Sequence, residues 1–526
     1  MMFYKGGVMQ RIDSDRRKAL QKLSALTLAP LLPVDAFASA VSAIHALPRF
    51  ALVIGNSRYD AAPLRNPAND ASALAEELKR FGFSVSVQLD VKRAAMEEGI
   101  RAFGGSVAKQ KGVGLFYFAG HGLQLSWRNF LVPVDAVLDH AESVPRQAID
   151  LTTLLDGLNK AGNPLNIVIL DACRDNPFGG ELKSGKGLSQ MDAPIGTLLA
   201  YATAPGNVAS DGSGANGLYT EQLLREIGTP EAKIEDVFKR VRLAVRRSSQ
   251  GQQIPWESTS LEEDFYFLPP ASIRKLSEEE LARQFAEEAA IWEKAQQAGQ
   301  IAAVEDYIRR YPSGHFSELA QVRLDRMLAR QGEKKVGLVN TAANPYTKGT
   351  GVIDLNYRVG DRYVFRSIDL LTRVENRKVV NTVSEIAEDK VIYNNGALVT
   401  DLLGNILKRP DGTSFSPSQF FVSEYSLGKK WTTRYAIHFA RGGQDTIELE
   451  LKVVGRETVT VPAGTFDSYK VEARGWVLGI GQSLEWTFWV APDKVNRIVA
   501  MEAWWRQRGR ITRSERQELD SYTRAG

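Results

Sequence analysis

One cysteine, Cys173, occurs in the 526 residues. It closes an apolar run, Asn166-Ile167-Val168-Ile169-Leu170-Asp171-Ala172-Cys173. A second run, Gly114-Leu115-Phe116-Tyr117-Phe118-Ala119-Gly120, delivers His121 and Gly122. A thiol and an imidazole brought together make a nucleophile–base pair. Thiolate is the attacking species, and at an unperturbed pKa of about 8.5 only a few per cent of the thiol is ionised at neutral pH. The imidazole takes that proton and hands it to a leaving amine. The tetrahedral oxyanion needs backbone donors about 3 Å away, and the N–H groups of Gly122 and Cys173 are candidates, because Gly122 has no side chain to block its own. The bland alternatives are a buried structural thiol, the commonest state of free cysteine, and a packing histidine. Two chemistry-bearing residues at two strand ends favour the dyad over both.

The two runs need a scaffold that brings their carboxyl ends to one edge. Residues 48–270 alternate strand and helix patterns, which implies a mostly parallel α/β sheet covered on both faces, with sites at the carboxyl ends of its strands. Expected strands are Phe50–Gly55, Ser84–Leu89, Val113–Phe118, Asn166–Leu170 and Thr197–Ala202. Expected helices are Asp70–Phe81, Ala94–Lys109, Leu151–Lys160, Leu218–Ile227 and Ile234–Ser248. Leu123–Phe130 with Leu131–Ala136 reads as an inserted hairpin. Gly179–Pro194 reads as an exposed loop, and Asn207–Asn216 as a second, both Gly-rich without apolar period.

Residues 272–332 read as three amphipathic helices. The pattern Trp292, Tyr307, Tyr311-Pro312, Ala320 and Leu324 resembles a tetratricopeptide-like helical pair, which cannot bury its own face without a neighbour. A polar linker, about 331–350, leads to residues 351–526, where short β-branched and aromatic segments predict an antiparallel barrel or curled sheet. The phrase Val459-Thr460-Val461-Pro462-Ala463-Gly464-Thr465-Phe466 followed by Trp486–Pro492 resembles β domains of bacterial envelope proteins. Trp504-Trp505 reads as core.

Charge is nearly balanced, 66 basic against 62 acidic residues, so nothing points to nucleic acid. A lone cysteine excludes a disulfide framework and any multi-cysteine metal site. His140, His315 and His438 lack ligand spacing, and no metal is expected. Residues 1–47 read as an export leader. Charged residues precede an apolar stretch from Leu23 to Ala40, with small residues at its end. The paired Arg16-Arg17 resembles a twin-arginine signal. This implies a periplasmic or exported protein; a disordered leader on a cytoplasmic protein is the alternative. No membrane span is expected beyond an uncleaved signal.

Phe118-Ala119-Gly120-His121-Gly122 and Asp171-Ala172-Cys173-Arg174 resemble the caspase-like cysteine proteases. The family's Ala-Cys-Arg portion and its histidine roughly 50 residues upstream are both present. Within that group residues 48–268 look most like the metacaspase and bacterial orthocaspase branch, as do Leu64-Arg65-Asn66-Pro67-Ala68-Asn69-Asp70-Ala71 and Ala200-Tyr201-Ala202-Thr203-Ala204-Pro205-Gly206. The resemblance implies a caspase-hemoglobinase-like α/β fold and a Cys173–His121 endopeptidase acting through a thioester. Caspases carry Gln two places before the cysteine; here stands Asp171. By resemblance Asp171 and Asp70 line the S1 pocket and select arginine or lysine, and a carboxylate in a partly dry pocket favours that choice physically. Arg65, near the arginine that caspases use for aspartate, argues the other way, and Ala119 replaces a frequent serine.

Asp70 has the alternative of capping its helix, and Asp171 that of bonding neighbouring backbone. Lys183 and Lys186 are candidate self-cleavage sites. No cofactor is expected, although the resemblance leaves calcium activation open, with Asp175 as one donor. Two other functions use the same chain: an envelope interaction or scaffold protein with a silent or regulated caspase-like domain, binding a protein partner through its helical and β domains, and an acyl transferase.

Overall fold

The structure, a computed structural model, describes residues 44–173, 187–207, 214–271, 276–337 and 343–526, and of Cys173 it describes the backbone. The leader residues 1–43, Arg174, Asp175, Lys183 and Lys186 lie outside the described residues.

The first part runs β1 (Arg49–Gly55), α1 (Pro67–Arg80), β2 (Phe83–Leu89), α2 (Arg93–Gln110), β3 (Val113–Leu125), β4 (Arg128–Leu131), β5 (Ile149–Asp150), α3 (Leu151–Ala161), β6 (Leu165–Cys173), β7 (Thr197–Tyr201), α4 (Leu218–Glu226), α5 (Ile234–Ser248) and β8 (Trp256–Thr259). The sheet order is β2-β1-β3-β6-β7-β8, parallel except for β7–β8. Central β3 explains its unbroken apolar sequence. Leu115, Tyr117 and Ala119 pack on the face covered by α1, α4 and α5, while Phe116 and Phe118 pack on the face covered by α2 and α3. A parallel strand buried on both faces has no polar alternation to show.

Several expected boundaries move. Helix α1 begins at Pro67, with Asn66 as N-cap, so Asp70 does not cap it; proline suits the first helical position because its missing N–H is not needed there. The hairpin lies earlier than expected: β3 itself continues to Leu125 and turns into β4. The turn residues Ser126 and Trp127 both have positive φ, 50° and 69°. That is the geometry of a two-residue hairpin turn usually signalled by Asn-Gly, and Ser-Trp hides it. The expected exposed loop 179–194 is corrected over its described part. Leu188, Ser189, Gln190 and Met191 are buried, and the Asn129 side chain brackets Ser189, donating to its carbonyl at 2.9 Å and accepting its N–H at 2.7 Å. Ile44 is buried in the core beneath α1, so packing begins ahead of residue 48.

The helices α6 (Glu278–Ala298), α7 (Ile301–Arg310) and α8 (Ser317–Arg330) follow. Trp292, Tyr307 and Leu324 share one core with Leu243 of α5, so the helical face is completed by the neighbouring domain. The described parts of the expected polar linker are docked. Arg246 pairs with Glu333 at 2.6 Å, both buried. Asn344 donates to the Gln190 carbonyl at 2.8 Å, and Thr347 and the Lys348 N–H donate to Asp192 at 2.6 and 2.7 Å.

The remaining strands are β9 (Thr350–Val352), β10 (Arg362–Ile368), β11 (Glu375–Ile386), β12 (Lys390–Tyr393), β13 (Leu398–Asp401), β14 (Ile406–Lys408), β15 (Ser414–Phe415), β16 (Glu424–Ser426), β17 (Lys430–His438), β18 (Gln444–Val461), β19 (Gly464–Val477), β20 (Gln482–Val490), β21 (Ile498–Gln507) and β22 (Arg510–Thr523). Strands β10–β15 and β17–β22 close an antiparallel barrel, and β9 pairs with β16 outside it. Trp504 and Trp505 are half-buried; Trp505 packs against the barrel core, and the Arg506 and Arg513 guanidinium groups lie over the Trp504 and Trp505 rings at 5.8 and 4.7 Å.

Glu318 of α8 ties the helices to the barrel. It accepts from Lys429 Nζ at 2.9 Å and from Ser423 N and Oγ at 3.0 and 2.5 Å. Burial pushes its pKa up, but Lys429 and the Ser423 hydrogen bonds outweigh burial and hold it at about 2 against an ordinary 4.5. A depressed carboxylate pKa stabilises the folded state above the unfolded value and loses that contribution as pH falls through the folded one. Glu318→Gln is therefore expected to cost on the order of 3 kcal/mol at neutral pH. The gap between variant and wild type, read by urea denaturation, should close as pH drops from about 4.5 toward 2.

Candidate active site

The site begins with register. Parallel pairing of β3 with β6 sets Ala119 beside Asp171, Gly120 beside Ala172 and His121 beside Cys173. The two expected catalytic positions are thus directly adjacent in backbone at the carboxyl edge of the sheet, and everything about the Cys173 side chain lies outside the described residues.

His121 is buried, 5% exposed, and held from two sides. Its Nε2 lies 2.7 Å from the Ala62 carbonyl oxygen. A carbonyl only accepts, so Nε2 carries the proton and Nδ1 is the basic nitrogen of the neutral ring. Its backbone N–H donates to the Tyr59 hydroxyl at 3.0 Å, and that hydroxyl donates to the Val132 carbonyl at 2.9 Å. Tyr59 thereby stands in for one rung of the ladder between His121 and Val132, whose other rung, Val132 N–H to His121 O, is made at 3.0 Å. The Tyr59 ring also lies 4.4 Å from the imidazole, centroid to centroid. Gly120 makes room for it: its φ is 153°, and a Cβ there would lie 2.6 Å from the Tyr59 oxygen.

The segment that presents Ala62 is itself anchored. Asn56 extends the β1–β3 ladder through its N–H to the Ala119 carbonyl, 2.9 Å. Its side chain donates to Val132 O at 3.1 Å and accepts from Val91 N at 3.0 Å. Antiparallel pairs alternate between bonded and non-bonded. Gly122 faces Leu131 one residue past the His121–Val132 rung, so its N–H turns away from β4, toward the side on which β6 ends. A Cβ at Gly122 would meet Ala172 Cβ at 2.9 Å.

The two expected pocket carboxylates converge on one segment, the start of α4. Asp70 is buried and accepts from Gly217 N at 2.9 Å and Asn216 Nδ2 at 2.8 Å. It caps the approach to α4 rather than its own helix. Asp171, half-buried, accepts from Thr220 Oγ1 at 2.7 Å. That bond ties the strand end to a side chain on α4. The Thr220 hydroxyl has one proton and spends it on Asp171, so the Tyr117 hydroxyl, 2.7 Å away, donates to Thr220. Burial chiefly, then the charges of Asp171 and Asp70, push the Tyr117 pKa well up, which keeps it a donor. Both carboxylates therefore meet the start of α4. Arg65 is exposed.

Sequence reading missed Tyr59, Ala62, Tyr117 and Thr220. Ala62 acts through its backbone and carries no side-chain signal, Tyr117 sits inside a run read as strand, and Thr220 belongs to Gly217-Leu218-Tyr219-Thr220, which resembles the family's smaller C-terminal portion but signals no role of its own. Among the described residues no three His, Cys, Asp or Glu side chains converge to hold a metal ion; Asp175, the expected calcium donor, lies outside them. No described helix is long and apolar enough to cross a membrane.

A family model of the caspase domain matches residues 48–266. The human (Homo sapiens) mucosa-associated lymphoid tissue lymphoma translocation protein 1 is 30% identical over 181 residues, covering 33% of this chain and 21% of that protein. Its Mus musculus homolog gives the same identity and coverage. The chain thus spans about a fifth of the length of these curated relatives. Parallel sheet, strand-end histidine and matched sequence agree: residues 48–266 are a caspase domain, followed in this chain by three helices and an antiparallel β barrel.

Proposed function

We propose that this chain is a cysteine endopeptidase of the metacaspase type that cleaves after arginine or lysine. The observation that carries the reading is the adjacency of positions 121 and 173, with Nε2 of His121 tied to Ala62 O. That tie leaves Nδ1 to accept the Cys173 proton. The thiolate attacks the scissile carbonyl, the N–H groups of Gly122 and Cys173 hold the oxyanion, and the imidazolium returns the proton to the leaving amine. Water then hydrolyses the thioester with His121 as base.

The preference for a basic residue rests on charge. Asp171 is half-exposed and offers an oxygen to a cation; Asp70, buried with two hydrogen bonds, adds its field from below. A guanidinium donates two hydrogen bonds to such a carboxylate, whereas an aspartate side chain meets like charge. Tyr59 is a positioning residue, since it touches the His121 backbone and ring and not the reacting atoms.

Hydrolysis of Arg- and Lys-terminated fluorogenic peptides should fall at least about a thousandfold in Cys173→Ala and in His121→Ala. Asp171→Asn should lower kcat/KM for the Arg peptide about a hundredfold; faster cleavage after Asp than after Arg by the wild type would refute the pocket reading. Tyr59→Phe should lower kcat about tenfold with KM nearly unchanged, and an unchanged kcat would remove its positioning role. We further propose export through the paired Arg16-Arg17: with Arg16→Lys and Arg17→Lys together, cell fractionation should find the protein retained in the cytoplasm.

A further inference from the structure

Part of the barrel's inner wall is reached by solvent. Alternation along β20 and β21 puts Trp486 and Phe488 inside, opposite Ala503 and Met501, with Glu485 outside. Phe488 and Ala503 are buried, yet inner-wall Trp486, Met501 and Trp505 remain part-exposed. A barrel of about eight strands is just filled by side chains, and wider ones enclose cavities; this one closes with twelve.

One end of the lumen is plugged. Phe420 and Phe421, from the β15–β17 connection, lie 4.7 and 5.5 Å from the Phe488 ring. From there an aromatic path leads outward: Phe420 to Trp486 at 5.5 Å, and Trp486 to Trp505 at 5.8 Å. Along it, Trp486 Nε1 is shielded from solvent with no hydrogen-bond partner among the described residues. A shielded donor in that state is costly unless something accepts from it.

The path ends at arginines. Arg513 faces Trp505 across the β21–β22 pair, its guanidinium 4.7 Å over the ring. Arg377 of β11 pairs with Glu515 at 3.5 Å, and Glu515 also pairs with Arg513. Arg409, on the β14–β15 turn at the same end, lies 4.8 Å over Phe415. Burial chiefly lowers its pKa; Tyr435 and Asp411 oppose this, and Arg513 and Arg377 add to it. Arg377 and Arg513 thus flank Glu515, and Arg409 lies close enough to both to feel their charge. A further carboxylate at this end, Asp445, is engaged by the N–H groups of Thr446 and Gly479, each at 2.7 Å. The hairpins around this mouth expose Leu371, Val374, Phe439 and Ile480, an apolar rim.

We infer that the barrel lumen binds a long-chain carboxylate, its alkyl chain along the Trp486–Trp505 wall and its head among Arg377, Arg409 and Arg513. An apolar tube with cations at the open end matches an amphiphile charged at one end, and the apolar rim gives the chain a path inward.

The test uses the full chain and the fluorescent fatty acid cis-parinaric acid, displaced by palmitate or by uncharged hexadecanol. Saturable binding of about one probe per chain is expected, displaced at least about tenfold better by palmitate. Arg409→Gln with Arg513→Gln should remove that preference, and because both sit at the mouth the barrel core is untouched. Ala503→Phe, which narrows the lumen, should weaken the probe at least about tenfold with the near-ultraviolet dichroism retained. Absence of saturable binding, equal displacement by hexadecanol, or binding confined to phosphatidylglycerol vesicles would each overturn the assignment. Peptidase activity is read separately and its outcome does not enter.

Discussion

The parallel pairing of β3 with β6 at the centre of the sheet is the constraint on which the site depends. Both strands are buried on two faces, so their register is fixed by packing as well as by hydrogen bonds, and a slip of one residue would turn every side chain to the wrong core. In the observed register position 121 stands beside position 173 and position 119 beside 171. The proposed catalytic pair and the proposed pocket carboxylate are therefore consequences of one alignment rather than separate placements.

Around that alignment, fixed polar groups do what strands alone leave undone. The Ala62 carbonyl sets the proton position on the imidazole, and the Tyr59 hydroxyl replaces a ladder rung that the turn at Gly120 breaks. The Tyr117–Thr220–Asp171 chain and the Asp70–Gly217 contact tie the sheet to the start of α4. Both carboxylates are thus held by hydrogen-bond donors fixed at the start of α4.

The helices and barrel are packed onto the caspase domain. The 343–350 strand of chain grips Gln190 and Asp192, residues of the segment that leads from the Cys173 end of β6 into β7. Arg246 of α5 is buried against Glu333. The helical core borrows Leu243 from the same helix. A buried ion pair and shared apolar core make the position of the downstream parts felt at the caspase domain.

Sequence alone determined the nature of the chemistry. A single thiol, a histidine at family-like spacing, two aspartates and the strand–helix alternation are all local features, readable because apolar runs and turn residues obey short periods. Tertiary structure decided the rest. Which nitrogen of His121 is basic depends on Ala62, distant in sequence and acting through its backbone. Asp70 serves α4 and not its own helix because folding brings Gly217 to it. Residues 187–191 are buried because Asn129 and the chain beyond 343 close over them, against their Gly-rich, loop-like neighbourhood. Composition and period report what a residue is and which face it prefers; only the assembled fold supplies the partner that sets its proton, its burial and its charge.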